Sequence, residues 1–502
     1  MFKRFVLQGV ALAAVVTAQE DMTFDEFVMR YQKGYASPEE RAQRKAVFEE
    51  NAAWVKAHNA DPSSTWVASL NRFSDITPEE WGQGYMGVNT TMLGAFASMK
   101  HKTDMFINFK EGKDEDAPEK IDLSALPARV DWRDSHIVAP VKEQGLCGSC
   151  WAFASISTIE SYWAKATGSL TELSEQQILD CSEYPPMAKQ YGIAGCQGGL
   201  PEMAYETALK MGALTSEWTY PYLSYRGQNR ECLYNMTEGL DFTGQTGNPF
   251  FPSALISGYK AIQPNSYDEV MFHLAHHGPL TLGVDASRWK FYRGGVFNNC
   301  PSGDEPINLN HAVNLVGYGT DEQLGPYWLI RNSWGATWGE QGYMRIKRTT
   351  PEDFDFCGTM TVQVPDIPDE DEEENDEDFE PDAEPSPSPE PEQPGEDAQE
   401  EEKPKKIKVD MMKKKNLRRS PYGGDADEEP TQQPGLPDME GFEKYFKNVT
   451  FSVCGPCGML FQPSFVTVGV PEQLPVQGNP AAHGLVMDLK IPELSSWKVV
   501  KE

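Results

Sequence analysis

Several things are scarce in this 502-residue chain, and each scarcity removes a class of function. No apolar run approaches the about 18 residues that cross a bilayer, so a membrane span is not expected. Basic charge is short: 44 Lys plus Arg stand against 76 Asp plus Glu, for a net charge of -32. That balance is the opposite of a nucleic-acid footprint, which needs clustered basic residues. Histidine is rare, at 8 residues. His276 and His277 in "LAHHGPL" are adjacent, lack ligand spacing and read as surface residues. Cys147 and Cys150 have no second ligand pair at zinc spacing, so neither a metal nor a cofactor is expected. No internal repeat is present.

What is present is unevenly spread. From Asp366 to Glu402 there are 20 Asp plus Glu and no Lys or Arg, so the remaining chain is only modestly acidic. The start, "MFKRFVLQGVALAAVVTAQE", places Lys3 and Arg4 before an apolar run from Phe5 to Val16. Small residues follow at Thr17 and Ala18, which is the layout of a secretory leader (1–18) cleaved after Ala18. Sequons at Asn89, Asn235 and Asn448 fit the same route as glycosylation sites. That route is oxidising and favours disulfides. Of the 9 cysteines, Cys147, Cys150, Cys181, Cys196, Cys232, Cys300 and Cys357 form a middle block. Cys454 and Cys457 lie near the C-terminus and can pair with each other. Seven is odd, so one middle thiol stays free if the others pair, and a leftover thiol is a candidate for reactivity.

Residues 23–82 are helical in pattern. Glu40, Arg44, Phe48, Asn51, Val55 and Asn59 step by three or four and share one helix face, either as a surface helix with a Glu40–Arg44 pair or as a binding face. Residues 83–124 read as a linker. Residues 125–365 are globular. A helix follows Cys150, with Phe153, Ile156, Ile159 and Trp163 on one side and a stop at Gly168. Strand-like runs come later in "HAVNLVGYG", "YWLIRNSWG" and "GYMRIKR", which together make an α+β unit. Residues 366–440 are acidic and Pro-rich, with a basic patch at 403–419, and lack the apolar content to fold. Residues 441–502 regain aromatic and β-branched residues and read as a small C-terminal module.

A cysteine nucleophile must be a thiolate, and a helix N-terminus with a neighbouring imidazolium lowers its pKa. Cys150 sits where the expected helix begins, at the positive end of its dipole. Cys147 lies one turn earlier and suits a structural role. Around them, "CGSCWAF", "LSEQQILDC", "GCQGGLPEMA", "YPY", "NHAVNLVGYG" and "RNSWGATWGEQGY" resemble the papain-family cysteine peptidases, in particular the cathepsin L-like branch.

The resemblance implies a papain-like two-lobed fold, with a helical left lobe and a barrel-like right lobe. It implies that Cys150 is the nucleophile, His311 its base and ion-pair partner, Asn332 the group that orients the imidazole, and Gln144 an oxyanion donor beside the Cys150 N–H. Trp334 covers the Asn–His contact. Gly198 and Gly199 form the edge that binds substrate backbone. Leu200, Pro201, Gly283, Leu309, Ala312 and Val362 line an apolar pocket for the second residue before the cut bond, the P2 residue. It pairs Cys147–Cys196, Cys181–Cys232 and Cys300–Cys357. The helix face at 40–59 is similar to the ERFNIN pattern, and "SLNRFSD" to a GxNxFxD segment with Ser69 in place of Gly. Residues 19–124 are thus an inhibitory propeptide (helical core about 23–82), and the mature chain begins near Leu126.

The expectation is a monomeric secretory-pathway endopeptidase, lysosomal, vacuolar or extracellular, made as a zymogen. Its partners are protein substrates and its own propeptide, with no nucleic acid. Acid is expected to release the propeptide by weakening carboxylate contacts such as those of Asp75. The alternative is a non-catalytic binding protein on the same scaffold. The run from Cys181 to Cys196 and the 161-residue spacing from Cys150 to His311 are longer than usual and read as surface insertions. "CGPC" at 454–457 matches a thioredoxin tetrapeptide, but without a βαβ context it reads as a simple disulfide loop.

Overall fold

Three helices with sequence-encoded caps open the described chain. α1 (Phe24–Arg30) begins at Thr23, whose hydroxyl accepts from the Glu26 N–H while Glu26 accepts from the Thr23 N–H. α2 (Pro38–Asn59) begins at Ser37 with Pro38 in its first turn, and α3 (Pro78–Gly84) repeats the reciprocal cap with Thr77 and Glu80. These pairings satisfy N–H groups that a helix start leaves without partners. The periodic face of α2 is a binding face: Arg44 donates to the Asp75 carbonyl at 3.1 Å, Asn51 to Ser74 at 2.9 Å and Asn59 to Ala68 at 2.8 Å. Phe48 and Val55 are buried beneath it. The helix therefore organises the following segment, including strand β1 (Trp66–Ala68).

The computed structural model describes residues 22–88, 120–182, 195–234, 253–301, 305–353, 356–365, 446–470 and 498–499. The leader, Asn89, Asn235 and the charged runs of 366–440 lie outside them; Asn448 lies within the late strand Phe446–Cys454. The described residues belong to one unit built from 1–365 and 444–502, and 366–443 form a second unit wholly outside the description.

The helical lobe is built on α4 (Cys150–Thr167), α5 (Glu175–Cys181) and α6 (Pro201–Met211). α4 ends at Gly168 in the left-handed conformation, as the sequence indicated. It is buried on nearly every side rather than one, because it lies between the other helices and the sheet. Polar side chains stitch it to that sheet: Thr158 shares a hydrogen bond with Thr281 at 2.6 Å, and the Asn314 amide donates to Thr158 at 2.9 Å and to the Ala154 carbonyl at 2.8 Å. These contacts fix the start of α4 relative to the sheet.

The sheet contains β2 (Val130–Asp131), β3 (Gly258–Ala261), β4 (Leu280–Val284), β5 (Tyr292–Phe297), β6 (His311–Asp321), β7 (Gly325–Arg331), β8 (Tyr343–Lys347) and a late strand, β11 (Ser464–Thr467). Between β3 and β4 runs helix α7 (Tyr267–His276). The order is β1-β5-β8-β7-β6-β4-β11-β3, with β2 on β6, and all pairings are antiparallel except β5 with β8. Strand β1 thus extends the main sheet at β5, with Trp66 opposite Gly295.

The C-terminal region differs from the separate module expected of it. β9 (Cys357–Pro365) and β10 (Phe446–Cys454) form a continuous antiparallel pair from Pro365↔Phe446 to Cys357↔Cys454. β11 then enters the main sheet against β3 and touches β4. Residues 446–467 are therefore built into the same strand pairing as the residues before 366, and 366–445 connect two paired strands.

This geometry corrects two of the four disulfide expectations. Cys147–Cys196 and Cys181–Cys232 are present. Cys300 pairs with Cys457 rather than Cys357, and Cys357 pairs with Cys454, so Cys454–Cys457 is not formed. Strand register sets Cys357 directly across from Cys454, with Cα atoms 4.0 Å apart. The turn at Gly455–Pro456 then carries Cys457 away, and its carbonyl accepts from the Asp285 N–H at 2.9 Å. Because "CGPC" is split between two disulfides, it is not a dithiol pair.

Candidate active site

Cys150 is the one free cysteine, fully buried at the first position of α4. Ser149, which precedes it, caps nothing; its hydroxyl bonds Tyr222 at 2.8 Å. The first N–H groups of the helix are left without a side-chain cap. The sulfur accepts from the Ala312 N–H at 3.3 Å. Ala312 follows His311 at the start of β6, so the strand start that meets the sulfur also carries the imidazole. His311 Nε2 lies 2.8 Å from Asn332 Oδ1, and its Nδ1 has no hydrogen-bond partner among the described residues. Trp334 stacks on the imidazole, with centroids 4.6 Å apart and planes at 25°. Trp334 is itself fully buried.

Gln144 is oriented from both ends. Its Oε1 accepts from Ser333 at 2.6 Å and its Nε2 donates to the Cys147 carbonyl at 2.9 Å. Tyr222 donates to the Gln144 carbonyl at 2.7 Å. Below this loop, buried Lys142 donates to Glu160 at 2.9 Å and Glu175 at 2.7 Å, tying it to α4 and α5. Burial pushes the Glu175 carboxyl up, against the pull of Lys142.

The cleft is occupied by the chain's own propeptide. Gln144 Nε2 also donates to the Tyr85 carbonyl at 3.2 Å. The Gly87 and Val88 N–H groups donate to the Asn310 carbonyl, each at 3.0 Å, and Gly199 N–H donates to the Gly87 carbonyl at 2.9 Å. Gly87 passes so close to the enzyme that an added Cβ would lie 2.0 Å from the Gly148 carbonyl oxygen, so only glycine fits there. Phe73, Trp81 and Tyr85 pack around Trp334, and Trp81 meets it at 4.7 Å.

This covering sets the electrostatics. Burial pushes the Cys150 thiol up to about 12, although the Ala312 and Gly87 N–H groups pull the other way. Burial lowers His311 to about 4, opposed by its hydrogen bond to the Asn332 oxygen. In the covered site burial thus disfavours the charged form of both groups.

Leu200, Leu309, Ala312 and Val362 fall in one buried apolar cluster, with Val88 of the propeptide packed against it. Pro201 begins α6 beside Leu200, and Gly283 lies opposite Ala312 in the sheet, within reach of Leu309. Gly198 adopts φ +106, with Gly199 beside it against Trp151. Sequence reasoning missed Ser333, Tyr222, Glu143 and the propeptide partners. Ser333 follows Asn332 directly, but nothing in the linear order links Tyr222 or Arg72 to this loop.

Residues 126–364 match the papain family cysteine protease model, and residues 24–81 match the cathepsin propeptide inhibitor domain (I29). Fruit bromelain of Ananas comosus is 33% identical over 336 residues, covering 67% of this chain and 83% of that protein. The chain belongs to the papain family of cysteine proteases. Cathepsin J of Mus musculus is 35% identical over 338 residues, covering 65% of this chain and 87% of that protein. Among solved structures, digestive procathepsin L2 proteinase from Tenebrio molitor larval midgut is 29% identical with a TM-score of 0.53, covering 66% of this chain and 95% of that one. As in a papain-family zymogen, an inhibitor domain precedes the protease domain here. The family match ends at 364, so β10 and β11, which complete this protease's strand pairing, lie beyond it.

Proposed function

We propose that this zymogen yields an endopeptidase acting through Cys150, His311 and Asn332, with a hydrophobic residue preferred at P2. The observation that carries the reading is the buried free thiol at the start of α4, beside an imidazole held by Asn332 and faced by the Gln144 amide. Once the propeptide leaves, water returns and His311 takes the Cys150 proton. The sulfur attacks the scissile carbonyl, and the negative oxygen is received by Gln144 Nε2 and the Cys150 N–H. His311 gives its proton to the leaving amine, and a thioester remains. Water then attacks the thioester, His311 accepts its proton and returns it to the sulfur, and the acid product departs. The apolar cluster at Leu200, Leu309 and Ala312 supports the P2 preference. The leader and the four disulfides support passage through the secretory route.

The test is acid activation of purified zymogen beside a Cys150→Ala twin, read with a peptide carrying Phe or Leu at P2. Wild-type hydrolysis with trimming near Leu126, and a silent twin, supports the reading. Silence of the wild type after an added protease has removed the propeptide points instead to a non-catalytic scaffold.

A further inference from the structure

The propeptide holds one cation inside the cleft. Arg72 forms an ion pair with Glu143, and its Nη2 also donates to the Trp334 carbonyl at 3.2 Å. Glu143 immediately precedes Gln144, and its carboxylate is fixed before Arg72 is counted. Its Oε1 accepts from the Gly145 N–H at 3.0 Å, and its backbone bridges Trp334. Gly335, at φ +74, leaves room for the other oxygen; a Cβ there would lie 2.6 Å from Oε2. Among the described residues Arg72 is the one ion-pair partner of Glu143. When the propeptide leaves, a pre-oriented carboxylate and a carbonyl acceptor face the cleft with no counter-charge.

We infer that Glu143 and the Trp334 carbonyl form a subsite for a cationic substrate side chain, arginine above lysine, on the leaving-group side of the cut bond. The inference rests on the proposed reading of the cleft. There, Tyr85 meets the oxyanion donor, and Gly87 and Val88 lie along the Gly199 edge and the P2 cluster, which places the acyl side. Arg72 and Phe73 lie on Trp334, whose indole stacks on His311, the group that serves the leaving amine. Arginine is favoured because its planar fork can reach the carboxylate and the carbonyl together, as Arg72 does, whereas an ammonium is a point charge.

The test uses processed enzyme and quenched peptides with Phe at P2. Arginine, lysine, citrulline or glutamate is placed in turn at each of the first three positions after the cut. Arginine should exceed its uncharged isostere citrulline at one of these positions by about tenfold in kcat/KM, with lysine between and glutamate lowest. Added salt should shrink the ratio, and Glu143→Gln should bring it to about one. A processed Cys150→Ala enzyme gives the same comparison as peptide affinity, so the subsite is tested even if hydrolysis fails. Equal treatment of arginine and citrulline at all three positions, or a preference that survives Glu143→Gln, overturns the inference. The pair would then serve only to hold the propeptide.

Discussion

The side-chain amide of Gln144 donates to the backbone carbonyl of Tyr85 at 3.2 Å. The donor proposed to receive a substrate's oxyanion is thus engaged by the inhibitor's main chain, in a loop fixed by Ser333 and Tyr222.

Removing that amide should damage turnover more than binding. In processed enzyme, Gln144→Ala should lower kcat by about 100-fold or more with little change in KM, as expected for a donor used mainly in the transition state. Steady-state kinetics on a P2-Phe peptide checks this.

Trp81 should anchor the inhibitor. It is buried, pairs edge-on with Trp334 and touches Phe73 and Tyr85. Truncating a buried aromatic of this kind costs about 3–5 kcal/mol. The Trp81→Ala zymogen should therefore activate at a higher pH and leak activity before processing, measured as hydrolysis during a slow acid titration.

Acid should open the zymogen through propeptide carboxylates such as Glu80 rather than through His311. Burial lowers His311 to about 4 in the covered site, and in the open site it holds the proton of Cys150, so the closed and open forms bind the same number of protons on this pair in mildly acid solution. Arg44 holds the Glu80 carboxyl below its ordinary range, so that contribution is lost only in more acid solution. Asp75 is buried within the propeptide against Lys33 at 2.7 Å and Tyr35 at 3.0 Å. Asp75→Asn should raise the pH of half-maximal processing; an unchanged midpoint would remove Asp75 from the trigger. Alkylation of Cys150 by iodoacetamide at pH 7 should be slow in the zymogen and fast after processing.

The C-terminal strands should be indispensable. A chain ending at Pro365 lacks β10, β11 and two disulfide partners, and should be recovered unfolded or not at all. Cutting within 366–445 should leave two pieces that migrate together until Cys300–Cys457 and Cys357–Cys454 are reduced. Gel mobility with and without reductant, alongside activity, decides this.

The legibility of the site followed from how it is encoded. Cys150, His311, Asn332 and Gln144 each sit in a short local phrase; a helix start places Cys150, a strand start places His311, and Asn332 follows the end of β7. The α2 face was legible for the same reason, since its period is local. The cysteines near the end were not. Cys357-Gly358 and Cys454-Gly455 read as equivalent words, and their pairing is fixed by strand register across a long excursion that carries no periodic signal. Arg72 and Glu143 were also hidden, because an ion pair between distant segments leaves no pattern along either.

Strand β11 is the last strand of the main sheet to be translated, yet it sits beside β3 and β4, which are translated long before it. At about 5–20 residues per second, ribosomes need roughly 10–40 s to travel from the end of β4 to the end of β11. For most of that interval a nascent chain carries the thiol, the imidazole and the inhibitor helices, but its sheet has an open edge at β4. The order of synthesis therefore delays the protease until after its inhibitor, a second safeguard set by strand position rather than by affinity.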